Sequence, residues 1–454
     1  MTKMLTTEQW QQLDARRHLH PFTDFGDYAK KPGRIINRAE HIYIYDTDGN
    51  KLLDAMSGLW CCSLGYSQPK IAEAVSKQFQ ELPYYNNFFQ CSNAPAVELA
   101  DRLVNMTPDQ FTHVFFTGSG SEANDTNIRL VRRYWDLQDK PNKRIIISRK
   151  NAYHGSTIAS ASLGGFKSVH QQFETLPYVE HIVDPNWFVN GGDLSPEEFG
   201  LQAARALEEK IDQIGEENIA AFIAEPIQGA GGVIVPPDSY WPEVSRILKA
   251  RDILFISDEV ICGFGRTGSL FGCQTLGTEP DLITFAKAVT NGFQPLGGVL
   301  VSDKVASVIT AKGGEFAHGF TYSGHPIACA AAMATLDIMQ SDNIFQTVHD
   351  HSAPYLQKRW AELGQHPIVG HTRGLGMFGS MELVRNKETR ERLAPDQVSG
   401  GVCRDLSIAN GLVMRAVGDS MIISPPLICS HAEIDTIINR VTQALDQTAE
   451  YFSV

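Results

Sequence analysis

Short apolar runs and stretches of helical period alternate along most of the chain. Residues 42–45 (IYIY) and 51–53 (KLL) flank Asp48-Gly49, a turn pair that predicts a hairpin. Ile71, Val75, Phe79 and Leu82 recur near helical spacing behind Pro69, and a second helix is expected over 95–106. From residue 113 the pattern becomes strand and helix in turn. HVFFT (113–117), RIIIS (144–148), AAFIA (220–224), ILFIS (253–257), LITFA (282–286) and GVLV (298–301) each read as a short buried strand. Between them run a helix with Ala123, Ile128, Val131 and Trp135 on its apolar positions and helical segments over 199–214 and 242–250. Such alternation predicts an α/β domain with a mostly parallel sheet.

After about residue 325 the character changes. Helices are expected over 326–340, 352–364, 400–410 and 431–452, with strands near 376–383 and 412–424. This reads as a smaller α+β unit, which the first 60 residues and their hairpin are expected to join. The expected division is 1–60, 61–325 and 326–454. No Pro/Gly/Ser-rich linker marks the seams.

A chain of 454 residues is long enough for a sizeable core and more than one domain. Lys and Arg number 39 against 52 Asp and Glu, a net charge of −13, which argues against general binding of nucleic acid or anionic membrane. A local basic pocket for a small anion stays open. No stretch of about 18 apolar residues predicts a membrane span. The segment MTKMLTTEQW lacks the apolar core of a secretory signal, so a cytoplasmic protein is expected. The eight cysteines, at 61, 62, 91, 262, 273, 329, 403 and 429, form no CxxC pair, so reduced thiols are expected and no metal site.

Three features fall where a predicted strand ends, which is where open α/β sheets bind ligands. The first is Thr117-Gly-Ser-Gly-Ser-Glu-Ala-Asn124. A strand, a Gly/Ser turn and a helix start leave free backbone N–H groups facing an anion, with the hydroxyls of Ser119 and Ser121 as further donors. A Ser-capped helix after a tight turn would look the same. The second is Ser257-Asp258-Glu259-Val260 after ILFI: either a loop acid or a carboxylate facing a cationic ring nitrogen. The third is Lys287, which ends LITFAK: either a surface lysine or an amine kept partly neutral, able to form a Schiff base with an aldehyde. A phosphate cradle, an acid for a ring nitrogen and an aldehyde-capturing lysine are together the contacts that pyridoxal phosphate requires. Asp258 and Lys287 are 29 residues apart in sequence, a sensible spacing for neighbouring strand ends.

The segments FFTGSGSEAND (115–125), AYHGST (152–157), AEPIQGAGG (224–232), ISDEVICGFGRTG (256–268), FAKAVTNGFQPLGG (285–298) and HGFTYSGHP (318–326) resemble the class III pyridoxal-phosphate aminotransferases. HLHPFTD (18–24), SGLWCCSLGY (57–66) and VMRAVGD (413–419) resemble the bacterial ω-amine, or polyamine–pyruvate, transaminases within that class. The resemblance covers nearly the whole chain. It implies the type I fold of pyridoxal-phosphate transferases, a large α/β domain with a smaller α+β domain. It also implies ping-pong transfer of an amino group from a primary amine to pyruvate or a related 2-oxo acid, in a homodimer or larger oligomer with the site at the subunit interface.

Residue by residue, the resemblance makes Lys287 the Schiff-base lysine and proton carrier, and Asp258 the carboxylate on the pyridinium nitrogen. Tyr153 matches the aromatic stacked on the cofactor ring and Val260 the contact on its other face. Ser119, Gly120 and Ser121 match the phosphate cradle, and Thr321 a phosphate contact contributed by the second subunit. Glu225 and Gln228 fall where the family places polar groups near the ring hydroxyl. Trp60 and Phe88 match aromatics of the substrate pocket, Phe88 reaching the neighbour's site, with Phe22 a further candidate. Arg415 matches a mobile arginine that pairs with a substrate carboxylate and swings out for uncharged amines. Arg266, in its Gly-rich stretch, is expected to serve a loop.

Other readings stay open at this point. An ω-amino acid aminotransferase, an aminomutase or a decarboxylase would use the same cofactor contacts. Gly118-x-Gly120-x-x-Ala123 also fits a dinucleotide fingerprint, but that reading wants an acid at the end of the next strand, where Ser148-Arg149 stands, and leaves Asp258 and Lys287 without roles. A non-enzymatic cofactor-binding regulator would need an appended partner-binding module, and the two-domain reading uses up the chain.

Overall fold

The computed structural model describes residues 5–396 and 398–454. Strands β1 (Ile36–Glu40), β2 (Tyr43–Asp46) and β3 (Lys51–Asp54) form an antiparallel meander near the N-terminus. The central sheet is built from β4 (Phe111–Thr117), β5 (Ile145–Arg149), β6 (Val179–Ile182), β7 (Ile219–Ala224), β8 (Leu254–Asp258), β9 (Leu282–Ala286) and β10 (Gly297–Ser302), in the order β4-β10-β9-β8-β7-β5-β6. A third sheet holds β11 (Val369–Leu375), β12 (Phe378–Asn386) and, further on, β15 (Arg415–Val417) and β16 (Ser420–Ile423). The short β13 (Glu391–Arg392) pairs with β12. Strand β14 (Leu412–Val413) instead pairs with β3, Leu412 opposite Leu53, and so bonds the N-terminal hairpin to the C-terminal segment.

β7, β8, β9 and β10 are buried along their whole length. Their unbroken apolar runs follow from this, since a strand covered on both faces needs no polar alternation. The helices that cover the sheet start where the sequence supplies caps. Ser119 accepts from the Glu122 N–H to open Gly120–Leu137, and Ser195 with Glu198 forms a capping box before Pro196–Ile214. Ala123, Ile128, Val131 and Trp135 all face inward on the first of these, each large side chain stabilising by about 1.5–3 kcal/mol.

The central sheet is mostly parallel, as expected, with one strand excepted. β10 runs antiparallel to both its neighbours, so the sheet is mixed. An apolar run such as GVLV carries no information about strand direction. The link from β8 to β9 holds only one helix of four residues, Gly272–Thr275, rather than a full crossover helix. Asp258 and Thr284 nonetheless pair across adjacent parallel strands, so the 29-residue spacing does end at neighbouring strand tips. The patterns missed β1, β6, β11 and β13. The first three are outer strands of their sheets, β13 is only two residues long, and β6 (VEHI) is short and half-exposed over most of its length. No helix among the described residues is long and apolar enough to cross a membrane.

Candidate active site

The carboxyl ends of β4, β5, β7, β8 and β9 open on one cavity of about 380 Å³. Its lining includes Ser119, Gly120, Ser121, Tyr153, Glu225, Asp258, Val260 and Lys287. The parallel run of the sheet brings them together, because each parallel strand delivers its next residue to the same edge.

At one end lies the start of helix Gly120–Leu137. The amides of Gly120 and Ser121 stand in its first turn, where no helical acceptor exists. The Gly118 N–H already donates to the Glu122 carboxylate, at 2.6 Å. The hydroxyl oxygens of Ser119 and Ser121 accept from the N–H groups of Glu122 and Ser156, which leaves each O–H free to donate outward. Gly120 is required by close approach. A Cβ there would sit 2.8 Å from Cγ2 of Val260 and close the gap between the turn and the opposite wall.

Asp258 ends β8 and is buried. Its Oδ2 lies 2.7 Å from Nδ1 of His154 and accepts from Nδ2 of Asn124 at 2.8 Å. Asn124 is itself fixed, since its Oδ1 accepts from the Thr284 hydroxyl and from Asn127. The carboxylate is thus locked in place. The sequence reading quoted His154 and Asn124 within motifs but gave them no role. Their signal was their place, two residues or fewer from Tyr153 and Ala123, in segments already singled out. His154 is wholly buried, with Nε2 unpartnered among the described residues. Glu225 accepts from the Tyr153 and Gly229 N–H groups, and burial pushes its carboxyl up to about 7.

Lys287 follows β9 directly and takes a left-handed backbone, φ 54°. Such a conformation in a non-glycine residue costs about 1–3 kcal/mol and marks a position held by its surroundings. Burial pulls its ammonium below the ordinary lysine range, and the nearby Arg415 adds to this. Nζ stands 5.2 Å from the ring centroid of Trp60. The Arg415 guanidinium stands 5.2 Å from the same ring. Arg415 is half-buried and has no carboxylate within ion-pair distance among the described residues. Burial lowers it as well. Trp60 is buried with a left-handed φ of 59°, and Leu59 and Cys61 beside it line the cavity.

A group with a phosphate, a ring nitrogen and an aldehyde fits this arrangement. Free amides and hydroxyls lie at one end, a fixed carboxylate on the central strand and a depressed lysine on the next. Tyr153 and Val260 both line the space between them.

Other expected residues lie elsewhere. Gln228 is fully buried, donates to the Lys150 carbonyl and does not line the cavity. Phe88 and Thr321 are also outside it. They belong to one patch, where Tyr84 donates to the Thr321 carbonyl and the Phe88 ring packs close on Gly319. Phe22 is 76% exposed, its ring edge-on to Tyr153 at 6.3 Å between centroids. Arg266 is buried and donates to the carbonyls of Met377 and Pro425 and the hydroxyls of Ser57 and Ser63, which ties its loop to three other segments.

The model of the class III aminotransferases matches residues 27–445. The chain is 54% identical over 444 residues to putrescine–pyruvate aminotransferase of Pseudomonas aeruginosa, covering 98% of this chain and 97% of that one. It is 43% identical over 436 residues to the chloroplastic gamma aminobutyrate transaminase 3 of Solanum lycopersicum, covering 95% and 84%. A thermostable (S)-enantioselective ω-transaminase from Thermomicrobium roseum superposes with a TM-score of 0.94 at 38% identity, over 98% of this chain and 100% of that one. The ω-transaminase of Pseudomonas jessenii in complex with PMP gives 0.94 and 38%, over 98% and 99%. The chain belongs to the class III aminotransferases, pyridoxal-phosphate enzymes of fold type I.

Proposed function

We propose that this aminotransferase moves an amino group from a primary amine, a diamine such as putrescine foremost, to pyruvate or a related 2-oxo acid. The observation that carries the reading is Arg415. A guanidinium without a carboxylate partner among the described residues, resting on Trp60 beside Lys287, is placed to receive an acid and is held by little when none is present. The 54% identity to a putrescine–pyruvate aminotransferase supports the same pairing of substrates.

Pyridoxal phosphate supplies the aldehyde that takes up the amine and the electron sink for the carbon that loses its proton. The chain's own groups do the rest. The amides of Gly120 and Ser121 and the Ser119 and Ser121 hydroxyls bind the phosphate. Asp258, aimed by His154 and Asn124, holds a proton at the ring nitrogen by its opposite charge. Tyr153 and Val260 would hold the ring between them, and Glu225 would be the polar group beside its hydroxyl. Lys287, with its amine biased toward the neutral form, takes a proton from the substrate carbon and returns it on the other side of the transfer. Trp60, Phe22 and Arg415 shape the mouth. Gln228 fixes the Lys150 backbone through its side-chain N–H.

We also propose a homodimer in which Phe88 and Thr321 complete the partner's site. They share one surface patch outside their own cavity, with Tyr85, Phe89 and Tyr322 exposed beside them. The eight free cysteines suit a reducing, cytoplasmic setting. The test mixes holoenzyme with putrescine alone and follows the visible cofactor band, then adds pyruvate and measures alanine. One equivalent of alanine per converted site is expected. A band that responds to amino acids but not to the diamine would overturn the donor assignment.

A further inference from the structure

Away from the cavity, the N-terminal segment carries a cluster that transamination does not use. Asp14 lies in the helix Thr7–Arg17, His18 is its C-cap, and His20 follows on non-helical chain. A spacing of four along a helix and of two along an extended chain returns all three side chains to one side. Nδ1 of His18 is 3.2 Å from Oδ1 of Asp14, and Nε2 of His20 is 2.8 Å from Oδ2. The imidazole centroids are 4.1 Å apart. One nitrogen from each ring and one carboxylate oxygen lie within 4.8 Å of one another, close enough to share an ion. The Tyr28 hydroxyl donates to the same carboxylate and, with the two imidazoles, holds it below the usual range.

We propose that Asp14, His18 and His20 form a site for a divalent transition-metal ion, with water in the remaining positions. Two imidazole nitrogens and one carboxylate oxygen suit zinc, cobalt or nickel better than magnesium or calcium, which prefer oxygen alone. Tyr28 is the outer partner that aims the carboxylate. The ion would join the end of the helix to the chain just beyond it. Pro21 and Phe22 follow His20 at once, and the Phe22 ring meets Tyr153. Occupancy would therefore pin the segment that carries Phe22 to the cavity mouth. The sequence reading expected no metal because it sought cysteine spacing. The Asp-x3-His-x-His pattern becomes a cluster only once the helix is known to end at Arg17.

The test uses untagged, metal-stripped holoenzyme titrated with zinc chloride by calorimetry. One saturable equivalent per chain is expected for the parent. His20→Gln and Asp14→Asn, conservative changes in a partly exposed segment, should weaken it at least about tenfold. A second readout is tryptic cleavage after Arg16 or Arg17, between the first two ligands. Zinc should slow it in the parent and not in His20→Gln. Parent and variants that titrate alike, or a parent with no saturable uptake, would overturn the proposal. Neither measurement depends on transamination, so its failure is separate from failure of the function proposed above.

Discussion

The floor of the cavity and its mouth are built in opposite ways. On the floor, Asp258 and Lys287 stand on the tips of adjacent buried strands, and Asp258 is held by His154 and Asn124, with Asn127 and Thr284 behind them. Around Tyr153 and Trp60, toward what we take as the mouth, Phe22 is 76% and Leu59 56% exposed, and the Arg415 guanidinium stands 5.2 Å from the Trp60 ring with no carboxylate within ion-pair distance among the described residues. Phe22 sits on left-handed backbone in a turn, and Trp60, itself buried, ends a kinked helical turn with a φ of 59°. The floor serves chemistry common to every substrate, and preorganised charge works only when it does not move. The outer part serves two unlike partners in the proposed reaction, an amine without a carboxylate and an anionic oxo acid, and Arg415 has no fixed carboxylate to release among the described residues.

Substitutions can break that contrast. The largest effect is expected from Lys287→Ala. Cofactor should remain bound through the cradle and Asp258, while turnover falls by about 10³-fold or more, as for loss of a general acid–base. Retained cofactor after gel filtration, with no borohydride-fixed adduct, checks the first part; activity within tenfold of the parent would remove Lys287 from its role. Next comes Asp258→Asn, which keeps shape and loses charge. Transition-state stabilisation should fall by at least about 2 kcal/mol, and cofactor affinity with it. Unchanged kcat/KM and unchanged affinity would show that the locked carboxylate is structural.

The smallest effect, and the one that sharpens the comparison most, concerns Arg415→Ala. The half-reactions of pyruvate and alanine should lose about 1.5–3 kcal/mol, the size of a charge-assisted hydrogen bond. The half-reaction of a carboxylate-free amine should hold near the parent rate, because no contact made by that substrate is removed. Single-turnover absorbance with each substrate separately reads both. Equal losses in the two would mean that Arg415 supports Trp60 rather than the acid, and that the mouth is as rigid as the floor.

What could be read along the chain differs between these regions for the same reason. Buried strands such as LITFA and ILFIS announce themselves by unbroken apolar runs, so the residues that follow them, Lys287 and Asp258, were legible as strand-end groups. Their chemistry is set by local sequence: a Gly/Ser turn before a helix, an acid or a lysine after a strand. The direction of β10 and the pairing of Leu412 with Leu53 could not be read along the chain, because hydrogen-bond partners far apart in sequence leave no periodicity. His154 facing Asp258, Arg415 and Lys287 each 5.2 Å from the Trp60 ring centroid, and Gln228 turned to the backbone were decided only when distant segments packed. Local sequence determines which groups a strand or turn can present. Which of them meet is settled by burial, since the sheet edge is where apolar packing stops and polar groups must find one another.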